Sequence, residues 1–180
     1  MPVNINGLNN LIEHLEACGE GDFATSVQGL QLEKEEILPY AHWSEKQYTR
    51  NCVAHSDLYE LILLCWEPGQ DTPIHDHGGE ECWVYLVDGE LEEERFTLVG
   101  DNFNLEQKRT CRSGDLTYMN DDMGWHTLSN VSRSRSMSLH LYANPIGKCR
   151  VYNEDDSKIE DHFPEYDTVK GELNANISVQ

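Results

Sequence analysis

The sequence predicts a mainly β protein, a small barrel or jelly roll of antiparallel strands with short helices ahead of it. Three observations carry this expectation. From about residue 49 onward, short apolar runs alternate with turn residues at close spacing. Before that point, apolar residues recur at helical spacing. Two histidines one residue apart, His75 and His77, stand in the strand-rich part, where alternation of side chains puts positions i and i+2 on one face.

The first helix is expected over residues 6–18. Leu8, Leu11, Leu15 and Cys18 form its apolar stripe, and Gly19 supplies a stop. A second helical stretch is expected over 23–30. Pro39 closes a helical or irregular segment at 33–38, and a short helix is predicted over 44–48 with Ser44 as its N-cap. Residues 58–66 form an apolar run that stops at Pro68-Gly69, a length and an ending that suit a buried strand better than a helix. Further strands are expected at 74–77 and 82–87. Asp88-Gly89 then signals a two-residue hairpin, with 91–98 as the returning strand. After the turn at Gly100-Asp101-Asn102, short strands follow at 103–111, 115–119, 126–131 and 137–142, with a last one at 151–152.

Residues 151–180 hold eight acids and two lysines with few large apolar side chains, so they are expected to lie along the surface with the last ten fraying. No repeat or linker interrupts the chain. One domain over 1–180 is therefore expected: a helical segment to about 48, a barrel over about 49–153 and an acidic tail from about 154.

The 180 residues suffice for a real core, at 38% hydrophobic and 26% charged. A net charge of −20 disfavours nucleic acid and anionic membranes as partners. No apolar stretch is long enough to cross a bilayer, and the N-terminus lacks the pattern of a signal peptide, so a cytoplasmic location and a monomer are expected. The six cysteines include no C-x-x-C pair, which argues against a zinc knuckle or a dithiol redox site.

Imidazole is the commonest protein ligand for metals, and a pair on one face is a chelate in waiting. An isolated His-x-His is more often an ordinary surface pair; here its flanks decide otherwise. Gly69, five residues, His75-Asp76-His77, four residues, Cys82, six residues and Gly89 reproduce the first cupin motif at every position except one, where Cys82 replaces the usual glutamate ligand. His126 and Asn130, with three residues between them, fit the second motif, and Gly114 to Asn120 fits its upstream part loosely. The chain thus resembles the cupins. Three neutral imidazoles leave the charge of a divalent metal uncompensated, which favours a substrate that brings its own anion, such as a thiolate.

More specifically, the chain resembles the thiol dioxygenases, and most closely cysteine dioxygenases of the type with an active-site cysteine. The stretches that carry this are Tyr48-Thr49-Arg50-Asn51, Leu64-Cys65-Trp66-Glu67-Pro68-Gly69, Ile74-His75-Asp76-His77, Cys82, Gly124-Trp125-His126 and Ser138-Leu139-His140-Leu141-Tyr142. The resemblance implies a non-haem Fe(II) held by His75, His77 and His126, with L-cysteine and O2 as substrates and cysteine sulfinic acid as product. It implies that Arg50 grips the substrate carboxylate, as a guanidinium can do with two parallel hydrogen bonds. Tyr48 would line the pocket beside it. Relatives acting on 3-mercaptopropionate tend to carry glutamine where Arg50 stands, so Arg50 favours L-cysteine. Ser138, His140 and Tyr142 would form a row pointing at the metal, and Cys82 would be joined to Tyr142 by a thioether that modulates activity without being required. Read without the resemblance, that row is better taken as the solvent-facing side of an edge strand with Leu139 and Leu141 inward; the resemblance reverses this. A dioxygenase for another small thiol and a non-catalytic metal-binding cupin are the competing readings. Asp76 points away from its neighbours and suits a structural hydrogen bond. His14, His42, His55 and His162 fall outside the pattern and are expected at the surface or in the core, and Cys149 resembles a family cysteine near the pocket.

Overall fold

Helical periodicity at the start of the chain becomes real helix wherever one face can be buried. In the computed structural model, which describes residues 4–18 and 23–174, a short strand β1 (Ile5–Asn6) leads into α1 (Leu8–Ala17), whose buried face is Leu8, Leu11 and Leu15. The Cys18 N–H closes this helix on the His14 carbonyl at 2.8 Å; the Gly19 stop lies outside the described residues. The second helix, α2 (Phe23–Gln28), ends earlier than expected because the next residues pair as β2 (Leu30–Gln31), parallel to β1. α3 (Lys34–Ile37) starts with a capping box between Glu33 and Glu36 and runs into a 3-10 turn at Leu38–Tyr40 that accommodates Pro39. The helix expected over 44–48 does not form. Ser44 instead accepts the Lys46 N–H through Oγ at 3.2 Å, and its carbonyl accepts Gln70 Nε2 at 2.8 Å. Serine offers the backbone a local alternative to a helix, and a long-range bond fixes that alternative here.

The strands follow as β3 (Thr49–His55), β4 (Tyr59–Trp66), β5 (Glu81–Asp88), β6 (Glu90–Val99), β7 (Asn102–Arg112), β8 (Leu116–Met119), β9 (Trp125–Ser129), β10 (Ser136–Ala143), β11 (Cys149–Asn153), β12 (Lys158–His162), β13 (Thr168–Val169) and β14 (Glu172–Leu173). Seven of them make one sheet in the order β14-β13-β3-β4-β10-β5-β8. Facing it are the three-stranded sheet β7-β6-β9 and the pair β11-β12, joined through isolated bridges from His75 to His126 and to Val151.

Both faces of the seven-stranded sheet are covered. Leu61, Leu63, Cys65, Leu139 and Leu141 pack against the helices, while Ile62, Leu64, Trp66, Cys82 and Tyr142 look into the space between the sheets. This double burial explains why β4 is buried along its whole length and why no simple apolar alternation marks it in the sequence.

Two strand expectations need correction. Residues 74–77 are not a strand: only His75 makes ladder contacts, and the rest is a loop between the sheets. Asp88-Gly89 is not a hairpin turn either, because β5 and β6 belong to different sheets. Gly89 is the corner where the chain crosses over, at φ 83°; a Cβ there would lie 2.8 Å from the Arg135 carbonyl. The hairpin at Gly100-Asp101 does form, between β6 and β7.

The acidic tail departs most from expectation. β13 joins the main sheet, parallel to β3, with Thr168 beside Asn51 and Val169 beside Cys52. Asp167 makes two further ties to Arg50: its N–H donates to the Arg50 carbonyl at 2.8 Å, and its carboxylate accepts the Arg50 N–H at 2.7 Å. The fraying expected for the last ten residues falls largely on 175–180, outside the described residues, but 172–173 form β14.

Candidate active site

His75, His77 and His126 converge between the two sheets. One ring nitrogen from each lies within 4.8 Å of the other two. His75 and His77 come from the loop before β5, and His126 from β9. The exchanged backbone bonds between His75 and His126, at 3.1 and 3.0 Å, clamp that loop to the strand. Asp76, between the two loop histidines, points the other way as expected. Its buried carboxylate accepts the Arg150 N–H at 2.7 Å and Arg150 Nε at 2.6 Å, which anchors the loop to β11. Gly78, at φ 62°, follows directly; a Cβ there would meet the Lys148 carbonyl at 2.0 Å, so the tight return of the loop needs a glycine.

The tautomers are set from behind. His75 Nδ1 donates to the Pro73 carbonyl at 2.9 Å, and His126 Nδ1 faces a carboxylate oxygen of Glu93 at 3.0 Å. Both bonds leave Nε2 as the lone-pair nitrogen, and His126 Nε2 is buried without a hydrogen-bond partner among the described residues, as is His77 Nδ1. Burial, with His126 nearby, pushes the His75 pKa down to about 3, and His77 is held well below its usual range for the same reasons. Three imidazoles that each bring a ring nitrogen to one point, with His75 and His77 held neutral, are what a metal requires. Glu93 was not apparent from the sequence. It sits on β6 in the run Glu92-Glu93-Glu94, where it looks like one more exposed acid; only the pleat turns it inward, among His126, Arg95 and Arg109. Burial works against its ionisation, but the His126 hydrogen bond and the two guanidinium groups outweigh this and lower its pKa to about 2.

Next to the histidines is a cavity of about 510 Å³. Arg50, Tyr48, His140 and Tyr142 line it together with the three histidines. Tyr48 stacks on Trp66, with ring centroids 4.7 Å apart. Arg50 is half-buried beside the Tyr142 phenol; its Nε and Nη2 are buried and have no hydrogen-bond partner among the described residues. The row on β10 faces the interior, so the solvent-facing alternative does not hold; Leu139 and Leu141 are buried as well, under the helices. Within the row, Trp66 Nε1 donates to Ser138 Oγ at 3.0 Å, and Ser138 Oγ lies 2.9 Å from His140 Nε2. His140 Nδ1 looks toward Cys82 Sγ at 4.0 Å. Burial keeps His140 neutral and the Tyr142 phenol protonated.

Cys82 on β5 and Tyr142 on β10 are directly opposed in the antiparallel register, 60 positions apart in sequence but side by side on one face. Sequence reasoning missed the contribution of the tail. His162, Phe163 and Tyr166 also line the cavity, so His162, exposed at the surface as expected, borders the site as well. Cys149 lines it too, and all six cysteines are free.

A family model described as cysteine dioxygenase type I matches residues 19–155. The chain belongs to the cysteine dioxygenase type I family. Rat cysteine dioxygenase type 1 is 34% identical over 159 residues, which cover 82% of this chain and 79% of the rat protein. The human cysteine dioxygenase type 1 is 29% identical over 133 residues, covering 71% and 66%. Among solved structures, an uncharacterized protein with a double-stranded β-helix domain from Klebsiella pneumoniae superposes with a TM-score of 0.52 at 16% identity, over 60% of this chain and 86% of that one. A protein from Thermus thermophilus gives 0.52 at 20% identity, over 62% and 97%. These two show the double-stranded β-helix fold of the cupins, which the motif resemblance implied. Membership of the cysteine dioxygenase type I family rests on the sequence matches.

Proposed function

We propose that this protein is a non-haem Fe(II) cysteine dioxygenase that places both atoms of O2 on the thiol sulfur of L-cysteine, giving cysteine sulfinic acid. The observation that carries the reading is a donor set of three histidines without a carboxylate, opening into the same cavity as the Arg50 guanidinium. Bound at His75, His77 and His126, iron would supply the one-electron chemistry that O2 needs to react with a thiolate.

The rest is done by the chain. Arg50, with Nε and Nη2 unengaged, takes the substrate carboxylate and sets the distance of the thiol from the histidines. Tyr48, held by its stack on Trp66, walls that subsite. The protonated Tyr142 phenol offers a hydrogen bond to the reacting end of the substrate, and Ser138 and His140 brace the strand behind it. Direct opposition of Cys82 and Tyr142 supports a thioether between the Cys82 sulfur and the Tyr142 ring. Its formation removes the thiol hydrogen and one ring hydrogen, and the two electrons and two protons pass to O2. The bond would remove rotamer freedom from the phenol.

The same reading takes 1–180 as one cupin domain acting as a cytoplasmic monomer, with a surface of net charge −20 that does not favour nucleic acid or membranes. No helix among the described residues is long and apolar enough to cross a membrane.

The test is O2 consumption by iron-loaded protein with L-cysteine, 3-mercaptopropionate and cysteamine. L-cysteine is expected to be the best substrate, and Arg50→Gln to impair it most. Preference for 3-mercaptopropionate would point to another thiol dioxygenase, and absence of thiol-dependent uptake to a metal-binding cupin without catalysis.

A further inference from the structure

Glu60 is the one acid inside the apolar run of β4, and it is buried together with its neighbours on both sides. A buried carboxylate in such a place is costly unless several groups meet it. Three do. One oxygen accepts the Ile146 N–H at 3.1 Å, and the other accepts the Tyr166 hydroxyl. That second oxygen also stands 4.0 Å from Arg50 Nη2. Glu60, Tyr142 and Cys82 are successive partners across β4, β10 and β5, so the acid sits in the same cross-strand row as the second-layer groups of the site.

The spacing matters. At 4.0 Å the carboxylate attracts the guanidinium without taking its hydrogen bonds, and Nε and Nη2 stay unengaged. A direct two-pronged salt bridge would have used the donors a substrate carboxylate needs. We propose that Glu60 and Tyr166 form a latch that positions Arg50 for the substrate carboxylate: Glu60 supplies the counter-charge that holds the guanidinium in the buried site, and Tyr166 fixes Glu60 from the C-terminal segment. The inference rests on the reading of Arg50 as the carboxylate grip. Glu60 and Tyr166 are positioning residues, since neither is placed against the substrate itself. Tyr166 lies beyond the stretch matched by the family model, which ends at residue 155. The segment carrying it is tied to β3 at two adjacent positions, through Asp167 to Arg50 and through the Thr168 hydroxyl to Asn51 Oδ1 at 2.9 Å.

The experiment uses Glu60→Gln, which keeps the size and the capacity to hydrogen-bond with Ile146 and Tyr166 but removes the charge, together with Tyr166→Phe. Two readouts are taken on the iron-loaded full-length protein: anaerobic calorimetric binding of L-cysteine, and steady-state kinetics. Glu60→Gln is expected to weaken L-cysteine binding and raise KM by roughly tenfold, the scale of one charged hydrogen bond, with kcat within about twofold. Tyr166→Phe should move both in the same direction by a smaller factor. In an Arg50→Ala background the Glu60→Gln change should add nothing, because the latch then has nothing to position. An unchanged or tighter Kd in Glu60→Gln, or an equal effect with and without Arg50, would overturn the latch. The two readings fail separately: wild-type protein that binds L-cysteine but consumes no O2 removes the dioxygenase reading and leaves the latch to be judged by calorimetry. Wild-type protein that does not bind L-cysteine removes both.

Discussion

Glu93 is the sharpest place to test whether the three histidines form a built metal site. Its side chain is fully buried, and it holds the Nδ1 proton of His126 at 3.0 Å while Arg95 and Arg109 pair with the same carboxylate. Replacing it with glutamine keeps an acceptor for that proton but removes the charge. A hydrogen bond to a charged group contributes about 1.5–3 kcal/mol, and loss of such an outer partner typically costs 10- to 100-fold in metal affinity. Glu93→Gln should therefore weaken metal binding by about tenfold, near the low end of that range. Glu93→Ala should approach the high end, and it should also destabilise the fold by about 1.5–3 kcal/mol because His126 and two half-buried guanidinium groups lose a charged hydrogen-bonding partner. Competition for Fe(II) or Zn(II) against a chromogenic chelator measures the affinity, and urea unfolding of the metal-free protein measures the stability. Metal affinity within twofold of wild type in a folded Glu93→Gln protein would refute the argument that Glu93 sets the tautomer of His126.

Two further predictions concern the cysteines. Cys82→Ala should retain iron and part of the activity, and the reduced wild-type protein should contain a fraction lighter than the sequence mass by about two hydrogens, absent from both Cys82→Ala and Tyr142→Phe. Peptide mapping under reduction separates this from a disulfide, and loss of iron in Cys82→Ala would make Cys82 a ligand instead. Burial raises the thiol pKa of Cys52 and Cys149 from 9.0 to about 11 and that of Cys65 to about 12. Because these pKa values are higher in the folded protein than in the unfolded chain, the stability they contribute is complete below pH 9 and is lost as pH rises toward 11–12. The urea midpoint should fall between pH 8 and 10.5, less steeply in Cys65→Ala, and an identical fall in that variant would count against the thiols as its source.

What could be read from the sequence follows from how locally each signal is written. His75 and His77 are two residues apart between spaced glycines, and Ser138, His140 and Tyr142 share a strand parity, so spacing alone groups them. The geometry behind the first pair was nevertheless misjudged: a loop pinned at His75, not a strand, presents them. Glu93 and Glu60 were invisible for opposite reasons. Glu93 hides between two other acids, and only the register of β6 selects it. Glu60 is a single acid in a run that reads as apolar, and its partners Ile146 and Tyr166 are 86 and 106 positions away. The hairpin signal at Asp88-Gly89 is sound turn chemistry used for a crossing between sheets, a choice made by which strands find partners elsewhere. The tail looked like solvent-exposed chain because its anchoring bonds are made largely by backbone and short polar groups, which composition does not weigh.

The pairing of Arg50 with Asp167 spans 117 residues. A ribosome adding about 5–20 residues per second needs roughly 6–23 s to cover that interval, so the nascent chain carries Arg50 long before the segment that seats it exists. The cavity cannot take its final shape until the segment around Tyr166 and Asp167 has been made. Until the last strands arrive, the open edge of β3 is an unpaired strand in a growing chain, a place for chaperones to act and for premature association to begin.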